Sequence, residues 1–356
     1  MKEFHALTVA RLERETKDSV RIALSVPVEL HEQFEFLPGQ HLPIQIVRGG
    51  KKMRRTYSIC SESGALPLEI GVRLQPDGSF SEYAGKELAV GDRLDVMPPF
   101  GQFHVNLDDR NAKDYVGVAA GSGITPILSM IKSVLKHEAA SRFVPFYGNR
   151  KQSTTMFIED LYALKNVYPE RLQLHFVFSQ EEQEFPIAAG RLDADKIREL
   201  YAHFCQGLSP AEAFVCGPGT MTTIAIETLI DLGIDAGHVH VERFGVPRKG
   251  GGTQAIAPAK TVDHALITVI MDGQKKTFEM QHGDDNIVDA AAEHGIELPY
   301  SCKGGVCATC RCHIREGEVA MATNFALEPW EVENGFVLAC QSRPVSESVT
   351  LDYDKT

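Results

Sequence analysis

Pro299-Tyr-Ser-Cys302-Lys-Gly-Gly-Val-Cys307-Ala-Thr-Cys310 is followed, after 29 intervening residues, by Cys340 at the end of Gly335-Phe-Val-Leu-Ala-Cys340. The first three thiols are spaced C-x4-C-x2-C, and the fourth arrives from a separate element. That is the donor pattern of a [2Fe–2S] cluster, with a short loop wrapping one side and a distant thiolate closing the other. Gly304 and Gly305 let the loop run close to the sulfides, where a β-carbon would clash, and Ala308 and Thr309 are small for the same reason. A structural zinc site pairs two C-x2-C knuckles, and only one is present. Disulfides belong to secreted chains, and Met1 to Val20 has no apolar segment of a secretion signal. Cys312 lies two residues past Cys310, on the same face of a strand, and reads as a packed free thiol.

Outward from this loop, the C-terminal segment has its own texture. Five of the eight cysteines fall in the last 55 residues. Residues 263–356 hold 16 Asp and Glu against seven Lys and Arg, a net −9 of the chain's −12. Leu266 to Met271 and Lys276 to Met280 form a predicted hairpin around Asp272-Gly273. Asp284 or Asp285 is the expected cap of a helix over Asn286–His294, which Gly295 would end. With the cysteine stretch and Gly335–Cys340, residues 263–356 resemble a plant-type ferredoxin, which implies an α+β β-grasp fold.

The rest of the chain divides in two. Residues 1–106 alternate apolar and polar residues over short runs separated by turns such as Pro38-Gly39 and Gly91-Asp92, which predicts an antiparallel barrel. Near residue 114 continuous apolar runs begin, from Tyr115–Ala120 to His238–Val241, with helical patterns between them. Buried strands alternating with helices predict a parallel sheet over 107–244. Residues 245–262 are rich in Gly and Pro and read as a flexible linker. The composition, 43% hydrophobic and 24% charged, is that of globular domains. The negative charge argues against a nucleic-acid binder. No run reaches the ~18 apolar residues of a membrane helix, so the expected location is the cytoplasm.

Three strings in this larger part carry chemistry. Arg55-Thr56-Tyr57-Ser58 ends a predicted strand. A guanidinium suits a flavin phosphate, Tyr57 a stack on the isoalloxazine, and Ser58 a hydrogen bond to its reactive edge. Alone, the four residues also read as an exposed arginine beside a core tyrosine. Gly78-Ser79-Phe80-Ser81 could line a pyrophosphate, through Gly78 and the Ser81 hydroxyl. Gly121-Ser122-Gly123-Ile124-Thr125-Pro126 leaves an apolar strand and opens a helix, so its amides form an anion site; by itself it is also a plain strand–helix turn. Cys216-Gly217-Pro218 ends a later strand and suits a nicotinamide flank, though a lone Cys216 reads as a small buried hydrophobe.

In this order and spacing, residues 1–245 resemble the ferredoxin–NADP reductase superfamily. The resemblance implies FAD held by Arg55, Tyr57 and Ser58, and a dinucleotide held by Gly121, Gly123, Thr125 and Cys216 with Gly217 and Pro218. Phe244 becomes a lid over the flavin or a packing residue. The complete order, with Tyr147-Gly-Asn-Arg150 and His240-Val-Glu-Arg-Phe244, is similar to the reductase components of bacterial multicomponent oxygenases, which implies a di-iron oxygenase as partner. A flavin between a two-electron hydride donor and a one-electron cluster needs no acid–base catalyst, and no nucleophile elbow is present. Arg150 and Lys151 follow a strand where an acid would favour NADH; their charge predicts NADPH, the alternative being a solvated pair. Asp284, Asp285, Glu328, Glu331 and Glu333 are the acids expected to steer the tethered ferredoxin, or else to serve solubility. A different oxygenase or a hybrid-cluster protein as acceptor, and a redox sensor, are the alternative functions.

Overall fold

The structure, a computed structural model, describes residues 3–75, 79–244, 262–281, 283–327 and 329–355. Gly78, Glu328 and the linker stretch 245–261 lie outside them. The chain separates into two compact units, Phe4–Phe244 and the C-terminal segment that follows.

In the first unit β1 (His5–Thr16), β2 (Ser19–Ser25), β3 (His41–Arg48), β4 (Lys51–Ser58), β5 (Leu68–Arg73) and β6 (Arg93–Val96) form one antiparallel sheet in the order β4-β3-β6-β1-β2-β5. Its edges meet where Ile59, just past β4, bridges Ile70 of β5. Closure leaves no free edge. Leu7, Val9, Ile22, Leu24, Ile44 and Leu94 fill the interior, and α1 (Ser79–Lys86) packs Phe80 against them.

The second half of this unit is β7 (Asp114–Ala120), α2 (Ile124–His137), β8 (Arg142–Asn149), α3 (Ile158–Val167), β9 (His175–Phe178), α4 (Ala194–Phe204), β10 (Pro210–Gly217), α5 (Gly219–Asp231) and β11 (Val239–Arg243). All strand pairs are parallel, in the order β11-β10-β7-β8-β9. Burial on both faces is why β7 reads as an unbroken apolar run. The chain builds outward from β7 to β9 and then returns to the other side of β7. That reversal opens a crevice at the carboxyl ends of β7 and β10. The two halves are joined by the ion pair of Arg21 with Asp160 and by the Glu15 carboxylate accepting from Phe157 N (2.7 Å); Glu15 also holds Arg21 (2.9 Å) and Lys132 holds Asp160 (3.0 Å), each from its own half.

The C-terminal unit is a mixed sheet in the order β13-β12-β18-β14-β16, built from β12 (His264–Met271), β13 (Gln274–Gln281), β14 (Arg311–Glu316), β16 (Phe336–Leu338) and β18 (Ser348–Asp352). The strands β15 (Val319–Met321) and β17 (Ser342–Pro344) pair separately. α6 (Ile287–Glu293) lays Ile287, Val288 and Ala291 on the sheet in the β-grasp manner, and α7 (Pro329–Glu333) precedes β16. The hairpin turns at Asp272 and Gly273, both at positive φ (52° and 71°). The cap of α6 is neither Asp284 nor Asp285 but Asn286, whose Oδ1 accepts from Asp289 N at 3.0 Å. Asp284 instead accepts from Gln281 N (2.7 Å), spending its carboxylate on the preceding turn. No helix among the described residues is long and apolar enough to cross a membrane.

Candidate flavin, nucleotide and cluster sites

On β4, Arg55 and Tyr57 point to one side and Ser58 to the other, as strand alternation requires. Arg55 is exposed and donates to the Arg54 carbonyl (2.7 Å). Tyr57 rests its ring 5.0 Å from Phe80, and burial keeps its hydroxyl protonated. Ser58 is buried and donates to Glu242 Oε2 at 3.0 Å. Ser81 lies below this surface in α1, its hydroxyl accepting from Gln75 N (3.2 Å).

Glu242 is the residue that reading the strings one by one did not single out. It stands on β11 directly opposite Cys216 of β10. Its carboxylate takes the Ser58 hydroxyl, approaches His41 Nδ1 at 3.4 Å and receives the Cys216 thiol at 4.0 Å. Burial and this carboxylate hold Cys216 well above an ordinary thiol pKa, so it stays S–H. His41 Nε2 is buried with no hydrogen-bond partner among the described residues. An arginine, a hydroxyl and an unmet imidazole nitrogen on neighbouring strands fit a group with phosphate at one end and ring heteroatoms at the other, as FAD has. The signal available in sequence was a lone acid in His240-Val-Glu-Arg-Phe244, at the end of a strand that pairs with Cys216.

At the crevice, Gly121 adopts φ +55° and its carbonyl accepts from Tyr147 Oη (2.9 Å), which anchors the turn. A β-carbon on Gly123 would stand 2.2 Å from the Cys216 carbonyl oxygen. Gly123 therefore packs the two turns together. Thr125 is buried and donates to the Ser122 carbonyl (3.0 Å). Pro218 leads into α5, and Phe244 N donates to the Gly217 carbonyl (3.4 Å), placing Phe244 beside the Cys216-Gly217-Pro218 turn and against the core around Cys216. Arg150 is exposed just past β8. Close by, Glu181 accepts from Gln152 N (2.6 Å). The acid that Asn149-Arg150 lacks is thus brought from beyond β9.

The four candidate cluster cysteines meet for a reason of register. β14 pairs with β16, Arg311 opposite Leu338, and Ala339 N donates to the Cys310 carbonyl (3.1 Å). Cys310 and Cys340 are therefore side by side. Cys302 and Cys307 form the second thiol pair, with Cys302 N donating to Cys307 Sγ (3.5 Å) and Gly304 N to Cys302 Sγ (3.3 Å). The partner thiol Cys307, with the amides of Gly304 and Val306, brings Cys302 down to about 6; Cys340 is lowered by Cys310 and by Gln341. Among the described residues no single-ion site gathers three such donors. Two pairs suit two irons, so the donor set fits a dinuclear cluster. Thr309 Oγ1 lies 3.1 Å from Cys307 Sγ, a use beyond its small size. Gly305 (φ +75°) makes room for Thr323 and Gln341. Cys312 is buried in the sheet core, its thiol pushed up to about 12 by burial.

Glu331 is not a surface acid. It is 1% exposed and accepts from Arg311 Nε at 2.7 Å, because α7 turns it inward over β14. The same turn of helix leaves Trp330 57% exposed.

A flavin barrel, a dinucleotide sheet and four thiols gathered from a loop and a later turn define an electron-transfer oxidoreductase. Residues 6–105 match the model of an oxidoreductase FAD-binding domain, 118–227 that of an oxidoreductase NAD-binding domain, and 269–345 that of a 2Fe-2S iron-sulfur cluster binding domain. The chain is 41% identical to one of the subunits of the 1,2-phenylacetyl-CoA epoxidase of Escherichia coli, covering 99% of each chain. It is 32% identical to the ferredoxin reductase component of the 3-ketosteroid-9-alpha-monooxygenase of Rhodococcus rhodochrous, over 98% of this chain and 96% of that one. Phthalate dioxygenase reductase shares the fold, with a TM-score of 0.60, 23% identity and 98% of both chains covered. The chain belongs to the family of oxygenase reductase components that includes this epoxidase polypeptide.

Proposed function

We propose that the protein carries electrons from NADPH through FAD and a [2Fe–2S] cluster to a di-iron oxygenase, the phenylacetyl-CoA epoxidase of cytoplasmic phenylacetate breakdown. The end-to-end 41% identity to the Escherichia coli epoxidase polypeptide is the observation that carries the choice of partner. The flavin, when bound, supplies the exchange between a two-electron hydride donor and a one-electron acceptor. Arg55 binds its phosphate and Tyr57 lies along its ring. Ser58 meets the reactive edge, its hydroxyl proton held towards Glu242. The turn at Gly121 and the start of α2 take the nucleotide phosphates, while Cys216 and Phe244 border the nicotinamide and keep water away. Arg150 receives the 2′-phosphate, with Glu181 as the opposing charge. Cys302 and Cys307 hold one iron, Cys310 and Cys340 the other.

The test mixes purified protein, NADPH, the epoxidase oxygenase component and phenylacetyl-CoA. Product formation should require this chain, and stopped-flow should show flavin bleaching before cluster bleaching. NADPH oxidation indifferent to the oxygenase would remove the assigned partner. Turnover with a 3-ketosteroid oxygenase would favour the reading suggested by the Rhodococcus relative.

A further inference from the structure

Gln341 follows the fourth cluster cysteine, and its side chain turns back over the cluster loop. Nε2 lies 2.9 Å from the Lys303 carbonyl, 2.9 Å from the Cys340 carbonyl and 3.5 Å from Cys340 Sγ. Two carbonyls accept only, so the amino end of the amide is the end that faces the sulfur, its two hydrogens shared among the two carbonyls and the more distant Cys340 Sγ. Oε1, at the other end, accepts from Thr323 Oγ1 at 2.6 Å. The main chain is fixed as well, because Ala322 N donates to the Gln341 carbonyl at 2.7 Å. The pair lies flat on Gly305. A β-carbon there would come within 3.2 Å of both Gln341 Cγ and Thr323 Oγ1. Thr323, Gln341, Gly305 and Lys303 thus form one latch across the loop that carries Cys302 and Cys307.

We infer that Gln341, oriented by Thr323, is a positioning residue that sets the reduction potential of the cluster through its contact with Cys340 Sγ. The inference rests on reading Cys302, Cys307, Cys310 and Cys340 as the cluster ligands. Reduction adds one electron and no proton, so negative charge on the sulfurs grows. A donor aimed at a ligand sulfur stabilises the reduced form more than the oxidised form and raises the potential. The interaction matters here because the fourth ligand comes from a different element than the loop. Gln341 is a side chain that ties the two.

Potentiometric titration of the purified holoprotein, followed by the electron paramagnetic resonance signal of the reduced cluster, tests this with three variants. Gln341→Met keeps length and neutrality but loses the donor. It should lower the equilibrium constant for cluster reduction about tenfold, which is ~59 mV for one electron. Gln341→Glu should lower it further, since it adds charge as well. Thr323→Val keeps Gln341 but frees its amide and should lower the constant by about threefold, part of one hydrogen bond. The flavin potential should stay where it is in all three. A wild-type potential in Gln341→Met with a normal cluster spectrum overturns the inference, even if Gln341→Glu shifts, because charge alone would then be acting. If the Gln341 variants shed their iron, Thr323→Val decides, and an unshifted potential there overturns it. Wild-type protein that shows no [2Fe–2S] signal at all overturns the ligand reading, a result the variants cannot mimic.

Discussion

Single residues decide which electrons enter and where they stop. Arg150 follows β8, and the contact to a 2′-phosphate proposed for it would contribute about 1.5–3 kcal/mol as a charge-assisted hydrogen bond. Arg150→Ala should raise the KM for NADPH about tenfold and leave that for NADH nearly unchanged. Glu181→Gln still accepts from Gln152 N but loses its charge, so it should lower the KM for NADPH; steady-state kinetics with both nucleotides checks the pair, and equal effects on both would sink the assignment. At the cluster, Cys340→Ser should remove the iron and leave NADPH-dependent ferricyanide reduction, whereas Cys312→Ser should keep full iron content by chemical assay. The candidate thiols stand out in the sequence because three of the four lie in one nine-residue loop, where spacing alone sets geometry. Glu242 could not be, because Ser58 and His41 lie 184 and 201 positions away and only the closed barrel and the β10–β11 register bring them together. Glu181 was hidden in the same way, reaching Gln152 from the neighbouring strand's end.

Elements turn some of those residues from their expected duty. In the sequence Glu331 is one of the acids expected to steer docking or to serve solubility. The partner of Glu331 is Arg311, 20 positions back, whose guanidinium also lies 3.6 Å above the Phe336 ring. β14 carries both Arg311 and the chain leaving Cys310, so this ion pair fastens α7 to the strand that leaves the cluster. Removing one partner of a buried pair strands the other charge and costs roughly 3–5 kcal/mol. Glu331→Gln should therefore destabilise the C-terminal unit by about 3 kcal/mol and hasten loss of cluster absorbance on heating. Glu333→Gln, on an exposed position of the same helix, should fall within ~0.5 kcal/mol of wild type. Elsewhere local rules sufficed: positive φ at Asp272 and Gly273 made the hairpin legible. The cap of α6 was missed because two aspartates precede Asn286, and tertiary placement, not residue preference, chose among three good caps.

At the scale of the molecule, charge and connectivity separate what takes electrons from what delivers them. Residues 263–356 hold −9 of the net −12, so the acid lies on the part that bears the cluster. With Glu331 withdrawn into its ion pair, the exposed acids left to face a partner include Asp285 and Glu333, and Trp330 offers an apolar contact beside Glu333. Acidic steering towards a basic face speeds encounter more than it tightens binding. It fades as salt rises, because the Debye length shrinks from about 8 Å at 0.15 M to about 3 Å at 1 M. Oxygenase-coupled NADPH oxidation should therefore slow several-fold over that range, while ferricyanide reduction, taken from the flavin, should change far less. The double substitution Asp285→Asn, Glu333→Gln should reproduce part of the high-salt loss at low salt with an unaltered cluster spectrum. Trp330→Ala separates the two contributions: it should slow coupled turnover at every salt concentration, because burial of an indole does not depend on screening. Coupled rates indifferent to both salt and the acid substitutions, but sensitive to Trp330, would make the acidic surface a solubility feature and leave docking to the apolar contact.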